Sequence, residues 1–171
     1  MKILKSIATA TGLSTAVVIA SVPLISVELK SALAEPAKTY QIQGYVGKTL
    51  DADSNRGGAN GTNVQLWTFT NAGNQRWQLY GDGTIRTVAY RGMCLDADSN
   101  KLNQNGANVQ LWECHGGENQ KWRISGRMIL NQAFPGKCLD ADSNRDGADG
   151  TNVQMWDCHN GANQHWNLRL K

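Results

Sequence analysis

The amino-acid sequence predicts an all-β fold in which three copies of one structural unit close around a common axis. Three observations carry this prediction: a 29-residue pattern occurs three times, its apolar runs are short and alternating, and the stretches between them are rich in Gly, Asn and Asp. A single unit of this size cannot bury its apolar face alone, so the copies have to pack together and share one core.

The repeated pattern spans 49–77, 94–122 and 138–166, and the second and third copies are identical at 18 of 29 positions. Each copy opens with Leu-Asp-Ala-Asp-Ser-Asn, passes through Asn-Val-Gln-Leu/Met-Trp and closes with Asn-Gln-x-Trp. All six tryptophans fall inside these copies. The expected repeat boundaries are about 40–84, 85–128 and 129–171.

The apolar runs favour strands over helices. They are four to six residues long and alternate with polar residues, as in 64–67 with its sequence Val-Gln-Leu-Trp. The Gly, Asn and Asp between them tolerate positive φ and predict turns. A repeat of about 45 residues also fits a propeller blade, but propellers have about four to eight blades and three would leave the ring open. A closed three-fold structure is therefore favoured.

The first 34 residues are typical of an export signal. Two lysines precede an uncharged run from Ile7 to Val27, and the small-x-small triplet at 32–34 offers a cleavage site. An uncleaved membrane anchor is the alternative, because the run approaches the length of a bilayer span, although Thr, Ser, Gly and Pro dilute it. We therefore expect residues 35–171 to form a secreted, extracellular chain with no membrane insertion after cleavage.

The segment 35–171 has 137 residues, which is enough for a single domain. It carries 14 Lys and Arg against 13 Asp and Glu, so its net charge is only +1. A charge this small provides no field to attract nucleic acid or anionic lipid, and neither is expected as a partner. We expect the folded chain to be a monomer.

Four cysteines lie in the second and third copies. Three pairings are possible, and the 20-residue separation common to both copies favours Cys94 with Cys114 and Cys138 with Cys158. Export is compatible with such disulfides. Zinc is the alternative, because a histidine follows Cys114 and another follows Cys158, but no C-x-x-C pair supports it.

The closing triplets resemble the signature of ricin B-type (R-type) lectin domains. They read Gln75-Arg76-Trp77, Gln120-Lys121-Trp122 and Gln164-His165-Trp166, and each follows Leu-Asp and Gln-Leu/Met-Trp in the same repeat. The resemblance covers about 40–170 and implies a β-trefoil that binds glycans or polysaccharides. The first repeat departs from the family pattern, since Thr49 and Phe69 stand where the cysteines would be, and we expect it to be the least rigid third.

Period-two alternation places Gln65 and Trp67 on one face of their strand, opposite Val64 and Leu66. An indole suits the apolar C–H face of a pyranose, while amides and a carboxylate suit its hydroxyls. The resemblance implies one carbohydrate site per repeat, made by the Asp after Leu, the Gln and Trp of the middle strand, and the Asn-Gln of the last triplet. The three sets are Asp51, Gln65, Trp67, Asn74 and Gln75; Asp96, Gln110, Trp112, Asn119 and Gln120; and Asp140, Gln154, Trp156, Asn163 and Gln164.

The resemblance also implies a role for each residue type. The Asp and Asn hold adjacent ring hydroxyls, the middle-strand Trp stacks on the sugar, the last Gln supports the Asp, and Trp77, Trp122 and Trp166 belong to the core. The alternative is a trefoil that binds nothing and keeps its middle-strand indoles in the core as well. Because every member of all three sets is present, we expect three working sites.

The Asp-Ala-Asp-Ser-Asn segment also begins like a calcium loop. An EF-hand requires Gly at the sixth position and a carboxylate at the twelfth, whereas these repeats have Arg or Lys and Thr or Ala there. No metal is therefore expected, and Asp53, Asp98 and Asp142 are predicted to be turn residues that accept backbone N–H groups.

The sequence shows no nucleophile placed with a base and no distinct carboxylate pair. A carboxylate present in three copies fits three equal sites, whereas catalysis requires one asymmetric site. We therefore expect a non-enzymatic lectin without a cofactor, for which the resemblance implies galactose or N-acetylgalactosamine glycans. The alternatives are a module for xylan or arabinose-containing polysaccharides acting beside a separate glycoside hydrolase, and a trefoil protease inhibitor.

Overall fold

A computed structural model describes residues 38–101 and 103–171. The regular elements in these two ranges are β-strands and short 3₁₀ segments. No helix in these two ranges is long and apolar enough to cross a bilayer. The export signal expected at 1–34 lies outside the described residues. The strands are β1 (Thr39–Gln43), β2 (Thr49–Ala52), β3 (Thr62–Trp67), β4 (Trp77–Leu79), β5 (Ile85–Thr87), β6 (Met93–Ala97), β7 (Ala107–Glu113), β8 (Trp122–Ser125), β9 (Met128–Asn131), β10 (Lys137–Ala141), β11 (Thr151–Asp157) and β12 (Asn167–Leu170).

Short 3₁₀ segments connect several of these strands. They are Tyr45–Gly47, Ser54–Arg56, Gly73–Gln75, Ser99–Lys101, Glu118–Gln120, Ser143–Arg145 and Ala162–Gln164.

Each repeat contributes four consecutive strands, β1–β4, β5–β8 and β9–β12. Strand β5, the first of the second repeat, begins at Ile85, and β9, the first of the third, begins at Met128. The all-β prediction is confirmed, since short alternating runs formed strands in every repeat.

One hairpin from each repeat closes one end of the fold. The pairs β2–β3, β6–β7 and β10–β11 are antiparallel with matching registers, so an apolar residue faces an apolar residue across each hairpin. Strands β3, β7 and β11 then pair with one another in a triangle. This triangle places the three middle strands around a pseudo-three-fold axis.

The remaining six strands form a barrel beneath these hairpins. Antiparallel ladders join β12 to β1, β1 to β4, β4 to β5, and β8 to β9. A bridge between Thr84 and Lys121 connects the starts of β5 and β8. A 2.8 Å bond from the backbone N–H of Trp166 to the Arg127 carbonyl connects the starts of β12 and β9. Six barrel strands and three capping hairpins are the β-trefoil arrangement that the family resemblance implied.

The last tryptophan of each repeat lies in the common core, as predicted. Trp77, Trp122 and Trp166 are at most 5% exposed. Each indole N–H donates at 2.9 Å to the carbonyl of the Leu near the start of the same 29-residue pattern. The end of each 29-residue pattern is thereby bonded to its beginning.

Both predicted disulfides are present, Cys94–Cys114 and Cys138–Cys158. The four sulfurs are bonded in these two pairs and are not available as zinc ligands, which rules out the zinc alternative for these cysteines. In the first repeat Thr49 accepts a 2.7 Å bond from Gln41, and the Nζ of Lys171 lies 4.7 Å from the Phe69 ring centroid. Polar and cation–π contacts therefore occupy the place of the missing disulfide.

Adjacent repeats are also joined through a loop residue that accepts the backbone N–H at the end of the next middle strand. The acceptor of the third repeat reaches back to the first, so the three contacts form a closed cycle. They are Asn60 with Glu113, Asn105 with Asp157, and Asp149 with Thr68, at 2.7 to 2.8 Å.

Candidate functional site

The structure brings each predicted residue set together at a shallow pocket on its own hairpin. The pockets have volumes of about 340, 270 and 230 Å³ in the first, second and third repeats. In every case the Asp, the middle-strand Gln and Trp, and the Asn of the last triplet line the pocket. The three pockets therefore share these four residue types.

Strand register sets the distance between the Asp and the middle-strand Gln. Asp51 and Gln65 are direct partners across the β2–β3 ladder, and the same pairing occurs in the other two hairpins. In each pair the Gln Nε2 donates to the Asp Oδ1, at 3.2 Å in the first repeat and 3.3 Å in the others. Pairing across the hairpin thus fixes one oxygen of the carboxylate.

The Asn of the last triplet fixes the other oxygen. Asn74, Asn119 and Asn163 donate to the Oδ2 of their Asp at 2.8 to 2.9 Å. The same Nδ2 also donates to the carbonyl of the following Ala. Both amide hydrogens of each Asn are therefore used, so the side chain has only its Oδ1 left to bind a ligand, as a hydrogen-bond acceptor.

The last Gln supports the Asp from the buried side in two repeats. Gln120 and Gln164 are fully buried, and each Nε2 donates to the Oδ2 of its Asp at 3.0 and 2.9 Å. Each Oε1 accepts the backbone N–H of the histidine after the disulfide. In the first repeat Gln75 makes the corresponding bonds to the carbonyl of Thr68 and the N–H of Thr70.

The middle-strand tryptophans face outward, as the alternation predicted. Trp67, Trp112 and Trp156 are 38 to 39% exposed, while the Val and the Leu or Met on the opposite face of each strand are buried. The indoles therefore form an open wall of each pocket instead of filling the core. This arrangement excludes the alternative in which all six tryptophans pack inside.

Burial raises the pKa of Asp51, Asp96 and Asp140 above the usual range of an aspartate. Hydrogen bonds from the surrounding Gln and Asn amides act in the opposite direction and offset part of this effect. A carboxylate that has lost most of its water and retains an unused lone pair is a strong acceptor for a ligand hydroxyl.

Two histidines join the second and third sites and were not predicted as site residues. The Nε2 of His115 lies 3.6 Å from Asp96 Oδ2, and His159 has the same relation to Asp140. Their Nδ1 atoms accept backbone N–H groups two residues later, so the neutral rings carry the proton on Nε2. One feature of the sequence could have identified them: in the second and third repeats a histidine directly follows a cysteine, at the position that Thr70 occupies in the first repeat.

The Asp-Ser-Asn turn forms the remaining wall. Asp53, Asp98 and Asp142 accept the N–H of the residue two positions later at 2.9 to 3.0 Å, which confirms their predicted role in the turn. The same aspartates line the pockets. Every site is consequently lined by two acidic side chains.

Residues 38–169 match the family model of the ricin-type beta-trefoil lectin domain. Among solved structures, the chain is 31% identical to the designed three-fold symmetric protein ThreeFoil, with 76% of this chain and 96% of that chain covered and a TM-score of 0.65. It is 25% identical to the Rhizoctonia solani agglutinin (81% and 99% covered, TM-score 0.64) and 26% identical to the agglutinin from Abrus precatorius (77% and 48% covered, TM-score 0.66). A search of curated protein sequences found no significant match.

Proposed function

The chain belongs to the ricin-type β-trefoil lectin family, and from this membership we propose that it binds carbohydrate through three equivalent shallow sites, with galactose or N-acetylgalactosamine glycans as the ligands. The proposal depends above all on one observation. In each repeat an indole that is 38 to 39% exposed shares a pocket with a buried Asp whose two oxygens are held by amides.

Each part of the pocket suits one part of a sugar. The exposed indole offers a flat apolar surface for the C–H face of a pyranose. The Asp oxygen and the neighbouring Asn oxygen accept hydrogen bonds from two adjacent hydroxyls, each bond to the carboxylate contributing about 1.5 to 3 kcal/mol. A cis pair of hydroxyls beside an apolar C–H face, as in galactose, fits this arrangement.

The second and third sites have an additional donor in His115 and His159, whose Nε2 lies beside the Asp carboxylate. The first site has Thr70 instead. Individual shallow sites bind weakly, and three of them on one chain raise the avidity for a branched glycan or polysaccharide by about 10² to 10⁴ when the ligand spans them.

A glycan array followed by calorimetric titration tests the proposal. We expect binding of galactose and N-acetylgalactosamine glycans with three sites per chain. Preference for arabinose-containing polymers or xylan would move the assignment to a polysaccharide-directed module. A chain that binds no saccharide and inhibits a protease would overturn carbohydrate binding.

We further propose that the chain is exported, cleaved after Ala34 and monomeric, and that it acts by binding and not by catalysis. The two disulfides support export, because such bonds persist in oxidising compartments. N-terminal sequencing and mass measurement of the secreted protein test the cleavage site and the monomer.

A further inference from the structure

A pocket of about 380 Å³ lies on the barrel, outside the three sites, between the β4–β5 hairpin and the turn that follows β5. Arg86 and Arg91 line it and no acidic residue does. The three proposed carbohydrate sites are each lined by two aspartates. The electrostatic character of this pocket is therefore opposite to theirs.

Arg86 is held in a defined position. Its Cζ lies 3.9 Å from the Tyr80 ring centroid, its Nε donates to Thr84 Oγ1 at 2.9 Å and its Nη2 pairs with Asp82 at 2.7 Å. A guanidinium has five N–H donors, so three of them remain without a partner in the described part of the chain. Because the side chain is already ordered, little conformational entropy is lost when a ligand binds.

Arg91 supplies an uncompensated charge. It is exposed and makes no hydrogen bond or ion pair with any described residue, whereas Asp82 balances Arg86. Thr87 also lines the pocket and is 4% exposed, and its hydroxyl has no hydrogen-bond partner among the described residues. Buried hydroxyl groups normally have one.

The other repeats show that the fold does not require these arginines. The equivalent positions hold Leu130 and Pro135 in the third repeat, and Gln41 and Val46 in the first. The pocket between β8, β9 and the next turn, which is related by the repeat, has about 410 Å³ and contains Leu130 and Pro135. Since the third repeat forms the corresponding turn with Leu130 and Pro135 in these positions, packing alone does not account for the arginine pair.

We propose that this pocket binds an acidic saccharide, whose carboxylate or sulfate ester is held between Arg86 and Arg91. Arginine recognises such planar or multi-oxygen anions through paired N–H donors. The volume of about 380 Å³ exceeds those of the three proposed carbohydrate sites, at about 340, 270 and 230 Å³, so the pocket has room for a sugar ring in addition to its anionic group. This inference does not depend on the other sites being functional.

Titration of the folded chain with glucuronate and glucose 6-sulfate, followed by NMR of the backbone amides, tests the proposal. We expect both ligands to shift the amides of Val88 and Gly92, with glucose producing no shift there. The double variant R86L/R91P carries the residues of the equivalent third-repeat positions, and we expect it to bind both ligands about tenfold or more weakly. The control R123Q removes one positive charge from the repeat-related pocket and should retain full affinity.

Unchanged affinity in R86L/R91P would overturn the proposal. Inorganic sulfate that shifts the same amides with equal affinity would also overturn it, because the pocket would then take an adventitious ion only. A parallel titration with galactose reports on the three repeat sites and should be the same in all variants. If the unaltered chain does not bind galactose, the proposed function is contradicted; if the unaltered chain does not bind glucuronate at this pocket, this inference is contradicted.

Discussion

Gln120 supports Asp96 from the interior of the protein: its Nε2 lies 3.0 Å from Asp96 Oδ2 and 2.9 Å from the Glu113 carbonyl. Its Oε1 accepts the backbone N–H of His115 at 2.9 Å. A single fully buried amide therefore connects the proposed sugar acceptor to the loop that carries the histidine.

Replacing Gln120 with Leu should impair both stability and binding. The substitution removes the side-chain partner of the Glu113 carbonyl and of the His115 N–H, and it leaves Asp96 Oδ2 with only its bond from Asn119. Each buried group left unsatisfied costs about 1 to 3 kcal/mol. We expect a drop of several kcal/mol in the free energy of unfolding in urea, and loss of one of three sites by calorimetry. The exposed Gln104 provides the matched control, and Q104L should change neither quantity.

The two classes of tryptophan should respond differently to truncation. W67A, W112A and W156A are each expected to remove one site from the titration and to leave the chain folded, because these side chains are more than a third exposed. W77A removes a fully buried indole and should cost about 3 to 5 kcal/mol. If the triple variant W67A/W112A/W156A binds as the unaltered chain does, the assignment of the sites is wrong.

Binding should weaken on acidification before the fold is lost. The pKa of Asp51, Asp96 and Asp140 is raised by burial, so these carboxylates gain protons at a pH above the usual aspartate range and cease to act as charged acceptors. The folded state holds these protons more tightly than the unfolded chain, so their protonation adds stability as the pH falls through the raised pKa. Titrations from pH 7 to 4, with near-UV circular dichroism as the monitor of folding, check both statements; unfolding in step with the loss of binding contradicts the second.

Val46 should be replaceable with a gain in stability. Its φ is 46° and its ψ is 27°, a left-handed conformation that a β-branched side chain rarely adopts. Asn tolerates this region, so V46N is expected to stabilise the protein by about 1 kcal/mol in thermal denaturation. Val88 is also exposed but does not have positive φ, and V88N should give no such increase.

The first repeat should open more readily than the other two. Thr49 and Phe69 replace the disulfide that connects the equivalent positions in the second and third repeats, where each loop closure contributes roughly 3 kcal/mol. Amide hydrogen exchange should therefore be faster in β2 and β3 than in β6, β7, β10 and β11. Equal protection in all three hairpins would contradict this expectation, and reduction of the disulfides should diminish the difference.

The sequence predicted the parts of the site that follow from local patterns. The outward position of Trp67 followed from the alternation along its strand, and the buried position of Trp77 followed from the family resemblance. The pairing of Cys94 with Cys114 followed from a spacing that two repeats share. Both features depend on residues within one repeat.

Contacts that depend on the folded geometry were not predicted. The approach of His115 to Asp96 depends on the path of the loop after the disulfide, and the bond from the Thr68 N–H to Asp149 joins residues that are 81 positions apart. Arg86 and Tyr80 come together only because a β-hairpin places them side by side. Such contacts depend on tertiary geometry, which the spacing of residues in a repeat does not specify.

The pairing of the first strand with the last has a practical consequence. Tyr40 lies opposite Leu170 in an antiparallel ladder, so the two ends of the domain are neighbours. A short linker between them would turn the domain into a ring, which allows new termini at the junction before Ile85. Such a circular permutant should keep all three capping hairpins intact, because the junction before Ile85 lies between two repeats and outside each of these hairpins.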